Sequence, residues 1–163
     1  ELRALVENFS VQNACDINVT DLRVESCQHI TMIDREAWRG KLHKGQFFSF
    51  KRQMNDWPAG AIAYCHDVLV FHWVNDEDLE SDVALVLVRL AVPTTQQCDR
   101  TGFPYFELDS TPSALVRTID LASPVHLVHM CDGDRCKALQ AQGDTQKHDL
   151  ASNPLFMFNP TCF

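Results

Sequence analysis

No stretch of this chain is long and apolar enough to cross a membrane as a helix. Its opening, ELRALVENF, also lacks the apolar core of a secretory leader. It therefore reads as a mature or trimmed ectodomain, touching a membrane only through a lost anchor or a partner. Positive charge is scarce: 14 basic residues stand against 22 acidic ones, for a net charge of -8. Such a field excludes general binding to nucleic acid or to anionic lipid, both of which need a basic surface. Signatures of common catalysts are missing as well, including GxSxG, HExxH, a phosphate loop and a dinucleotide fingerprint. No pair among the 22 carboxylates is singled out for glycoside cleavage. The expectation is a protein that is not an enzyme. Without a linker, repeat or coiled-coil pattern, residues 1–163 are expected to form one domain, with an irregular N-terminal extension and C-terminal tail.

Cysteine, by contrast, is plentiful. Seven in 163 residues suit a secreted or cell-surface glycoprotein with disulfides better than a cytosolic protein. The acceptor sequons at Asn8 (NFS) and Asn18 (NVT) point the same way, whereas Asn153 and Asn159 are each followed by proline and do not qualify. An odd count leaves at least one thiol unpaired within the chain. Cys15 and Cys27 bracket a candidate hairpin and form the first expected disulfide.

Strand signals dominate. Residues 1–33 alternate roughly and are read as short strands, 34–42 (DREAWRGKL) as a short helix, and FFSFKRQ as a strand again. HDVLVFHWV and VALVLVRLAV are two core strands, the second expected to stop at Pro93. GFPYF is a short aromatic strand in a turn-rich connection, followed by strands in ALVRTIDL and PVHLVHMC. Several short strands separated by turns indicate a mainly-β sandwich or barrel.

Candidate ligating residues are scattered. His66 and His72 share a strand face but lie about 20 Å apart if the strand is straight, too far for one ion. His126 and His129 face opposite sides. The run from Asp76 to Asp82 holds five acids in seven residues but lacks the ligand spacing of a calcium loop. Aromatics next to turns are better placed for binding, and Phe103, Tyr105 and Phe106 form the candidate binding loop.

One stretch carries a resemblance. WPAGAIAYCHDVLVFHW, residues 57–73, resembles a signature of the phytocyanins, the plant blue-copper-like family. Cys98 after TTQQ and the two late strands ending at Cys131 and Cys136 extend it over residues 57–140. The resemblance implies a Greek-key, cupredoxin-like β-sandwich and a disulfide Cys98–Cys136. Of the other cysteines, Cys131 is expected either to pair with Cys162 or to remain a core thiol, and Cys65 is left over. The family's copper site uses two histidines, a cysteine and a weak axial ligand. Here the corresponding places hold Ser81 or Asp82, Arg135, Cys131 and Gln140. A thiolate without two imidazoles does not supply the plane that type 1 copper needs. The resemblance thus implies a scaffold with no copper or other cofactor, binding an extracellular protein or glycan. The alternative is an altered copper or redox site built from Cys131, Gln140, His129 and His72.

Overall fold

The computed structural model describes residues 2–13, 17, 22–33, 39–54, 57–74, 80–131, 150 and 154–159. The described residues form a mainly-β fold, with one α-helix among them and an extensive antiparallel sheet. Its spine is the hairpin of β5 (Ile62–Val74) and β6 (Glu80–Gln97), in register from Ile62 opposite Ala91 to Val74 opposite Glu80. These are the two runs richest in β-branched and large apolar residues, which suit a pleated surface buried on both sides.

Both strands exchange neighbours along their length. The first part of β5 pairs with β4 (Phe47–Phe50) and the second with β1 (Arg23–Cys27). The change falls at a bulge between Cys65 and Asp67, where His66 is the extra residue. Such a bulge bends a strand and increases its twist. Similarly, β6 pairs first with β8 (Ala114–Arg117) and then with β7 (Pro104–Leu108). Pro93 does not end β6: it sits opposite Phe106, and the ladder becomes irregular only between Pro93 and Gln97.

The sheet also closes on itself. β9 (Leu121–Val125) pairs with β4, while β10 (Leu127–His129) pairs with β11 (Leu155–Phe158), which in turn pairs with β7. Only His126 separates β9 from β10, and its carbonyl accepts from the Asn159 N–H. One nearly continuous stretch therefore joins both ends of the β4–β5–β6–β7–β11 series. Inside this ring lie Phe47, Ile62, Ala91, Phe106, Leu108 and Phe156. The separate hairpin of β2 (His29–Ile33) and β3 (Arg39–His43) inserts Leu42 into a neighbouring core with Phe48, Phe50, Val68 and Val86.

The N-terminal segment corrects the sequence reading. Residues Leu2–Asn13 form helix α1 rather than strands. Leu2, Leu5, Val6 and Phe9 recur at helical spacing, and Val6 and Phe9 are buried against Leu69, Phe71, Leu85 and Leu115. Burial of each contributes about 1.5–3 kcal/mol. The expected helix over 34–42 is corrected at its end, where Arg39–His43 is strand, and its first part lies outside the described residues. β11 falls in the tail expected to be irregular.

The disulfide framework is overturned. Cys27, Cys65 and Cys98 are free thiols, and no disulfide forms at Cys131. The expected bonds Cys15–Cys27, Cys98–Cys136 and Cys131–Cys162 are thereby corrected, although Cys15, Cys136 and Cys162 lie outside the described residues. The reason is visible at each site. Cys27 packs against the core, the Cys98 thiol is engaged by its own turn, and the Cys131 sulfur lies 3.4 Å from His129 Nδ1.

Candidate functional site

Where β6 passes into β7, the chain makes a turn over Cys98–Phe103. The Cys98 N–H donates to the Phe103 carbonyl, and the Thr101 and Gly102 N–H groups donate back to the Cys98 carbonyl. Gly102 takes φ +69°, a conformation that an L side chain adopts only at a cost. Phe103 is thus held at the rim of the ring and is 40% exposed. Its ring meets Phe158 edge to face at 5.3 Å, and Phe158 meets Phe106 at 5.2 Å. Phe106 is buried, while Tyr105 projects from the other side of β7 and is half-buried. Of the three predicted binding-loop residues, one is core, one intermediate and one displayed.

The same turn alters a thiol. Hydrogen bonds from the Thr101 side chain, then from the Arg100 and Thr101 backbone, hold the Cys98 thiol below its usual range. Tyr105 is pushed up, chiefly by desolvation and secondarily by Cys98. From sequence Tyr105 reads as a binding-loop aromatic, and its proximity to the Cys98 thiol emerges only in the fold.

A second polar cluster surrounds the β5 bulge. Lys44 Nζ lies 2.6 Å from Asp67 Oδ1 and also donates to Ser26 Oγ, which donates to Asp67 Oδ1 at 3.0 Å. Burial, followed by the Asp67 charge, pushes the Cys65 thiol up to about 12. Burial and then the Arg89 charge lower His66. Arg89 is itself buried, donates to the Asp109 carbonyl, and stands opposite Tyr64, whose hydroxyl is pushed up by burial. Every member of the Ser26–Lys44–Asp67 set is already engaged within the set, so it secures β1, the β3–β4 turn and β5 together.

The residues of the alternative copper site are spread out. His129 is buried, packed on Phe156 at 5.1 Å, and neighbours Cys131. His72 is at the other end of the spine, opposite Asp82. The ladder leads from His129 through Phe156 and Phe106 to Pro93, two residues past the Ala91–Ile62 pair. From there, His72 lies roughly 30 Å along β5. Gln140 and Arg135 are outside the described residues. Among the described residues, no three metal-ligating side chains come together. Asn8 is exposed on α1, and Asn18 lies outside the described residues.

No protein-family model, curated protein or solved structure matches the chain.

Proposed function

We propose that this chain is a non-enzymatic binding module whose ligand, a protein or a glycan, seats on the rim formed by Phe103, Tyr105 and Phe158. The observation that carries this reading is the hydrogen-bonded Cys98–Phe103 turn, which holds a substantially exposed phenylalanine against Phe158, itself packed on Phe106. A rigid aromatic loses little conformational freedom when it is covered, which makes it an efficient anchor. The phytocyanin resemblance, carried mainly by residues of β5, supports a scaffold role for the sheet. The return of β9 beside β4, giving the order β9–β4–β5–β6 with β7 and β8 intervening in the chain, supports the Greek-key part of this reading. The cupredoxin assignment remains part of this proposal.

Secretion belongs to the same proposal. The two sequons support it, and Asn8 is exposed on α1. A glycosidase-sensitive mass shift, lost in Asn8→Gln and Asn18→Gln, is the expected result. An unglycosylated product from a secretory host removes the extracellular reading.

The binding reading is tested by screening the full chain on peptide and glycan arrays beside Phe103→Ala. It predicts a specific hit that the variant loses while its thermal unfolding is nearly unchanged. A hit of equal strength in the variant rejects the rim as the site. A wild-type chain that binds neither class rejects the function.

A further inference from the structure

On the outer face of the β2–β3 hairpin, His29 stands directly opposite His43. The Lys44 N–H donates to the Gln28 carbonyl, which makes 28 and 44 the hydrogen-bonded pair. His29 and His43 are therefore a non-hydrogen-bonded pair, the position in an antiparallel ladder where facing side chains approach most closely. Both residues are exposed, because the alternate positions Ile30 and Leu42 turn inward to the core. Their ring centroids are 5.2 Å apart, with planes tilted by 34°.

We propose that His29 and His43 form a two-imidazole site for a borderline divalent transition ion, Zn(II) or Cu(II). The separation is the first argument. An imidazole nitrogen binds such an ion at about 2.0–2.1 Å, which puts each ring centroid about 3.2 Å from the metal. Two rings at a tetrahedral angle about one ion are then about 5.2 Å apart, which matches the observed pair. The torsion that aims the ring nitrogens is broad and soft, so little is needed to turn both toward a common point.

Ligand chemistry is the second argument, since paired imidazoles favour zinc and copper over calcium or magnesium. Thr31 and Lys41 share this face and are exposed, so Lys41 can direct its charge into solvent. Lys44 is held away by Asp67 and Ser26. Among the described residues no third ligating side chain joins the pair, so the remaining positions fall to water or to an incoming ligand. An ion bound here ties together the end of the hairpin where Gln28 faces Lys44. The site is independent of the aromatic rim.

The test is a calorimetric titration of the full chain with Zn(II) and, separately, Cu(II), using His29→Ala and His43→Ala with His66→Ala as a control. The expected result is one saturable equivalent in the wild type and in the control. Either hairpin variant should weaken it by about tenfold or more, at least the loss seen when a supporting group of a metal site is removed. Unchanged binding in both hairpin variants overturns the proposal, as does the absence of saturable binding in the wild type. Pulsed paramagnetic resonance of the Cu(II)-loaded wild type gives an answer that does not depend on the variants folding. Two coordinated imidazoles support the site, and one or none rejects it.

Discussion

Cys65 and Cys98 are both nearly closed to solvent, but they occupy different kinds of place. Cys65 lies in the middle of the long hairpin beside the His66 bulge, fully buried among Ala63, Val68, Val86 and Val88. Cys98 is covered locally by its own turn at the rim, within reach of Thr101 and Tyr105. Desolvation drives the first thiol up to about 12, whereas hydrogen bonds draw the second down. Low exposure therefore does not decide the chemistry of a thiol. What matters is whether the groups around it solvate a charge. The same division holds for the aromatic residues: Phe71 is sealed in the hairpin core, while Phe103 is displayed.

The strongest way to break this comparison is to truncate one aromatic in each region. Phe71→Ala removes a fully buried ring and should cost about 3–5 kcal/mol in urea unfolding. Phe103→Ala should cost less than about 1 kcal/mol, because much of its ring is already hydrated. Equal losses would show that the rim is core after all.

The alkaline limb of stability separates the thiols next. Cys65 has its folded-state pKa raised from 9.0 to about 12, so its contribution is fully present below pH 9 and is lost as pH rises towards 12. Cys98 is shifted the other way, so its contribution grows as pH rises towards 9 and is level above that, leaving the decline from pH 9 to 12 to Cys65 in this comparison. Cys65→Ala should lower stability at neutral pH but flatten its decline between pH 9 and 12. A decline as steep as that of the wild type assigns it to other groups.

A third test concerns the short 3-10 turn over Thr118–Asp120, between β8 and β9. Asp120 is 2% exposed and is bound by Arg52 Nη2 at 2.6 Å and Arg117 Nε at 3.0 Å. Both arginines reach solvent, so Asp120→Ala should cost about 2 kcal/mol, near the range for charged hydrogen bonds. A change no larger than that at Asp120 is expected at the rim turn. A Cβ on Gly102 meets nothing within 4 Å, so Gly102→Ala carries only the cost of its positive φ, about 1–2 kcal/mol. A larger loss in thermal unfolding would point to a contact the turn does not have.

These differences also explain what could be read from sequence. HDVLVFHWV and VALVLVRLAV announce themselves because burial on both faces demands continuous apolar runs, and they became the spine. Helix α1 was missed although Leu2, Leu5, Val6 and Phe9 carry its period, because the alternation that follows in the segment resembles strands. β11 is only four residues long, and its place between β7 and β10 depends on partners distant in sequence. At the rim, GFPYF signalled a displayed aromatic, but which ring would be displayed depended on strand parity. The His29–His43 pair could not be seen without register, since its members lie fourteen positions apart along the chain. Cysteine count misled for a related reason: number and spacing do not report whether sulfurs face one another.

The most direct test of this contrast between a sealed hairpin and an open rim is alkylation of the native chain by iodoacetamide, followed residue by residue by mass spectrometry. Cys98 should be modified before Cys65, which reacts only as the protein unfolds, with rates differing by about tenfold or more given the thiolate fractions their surroundings allow. Equal rates, earlier modification of Cys65, or recovery of Cys27 or Cys98 in a disulfide would contradict it.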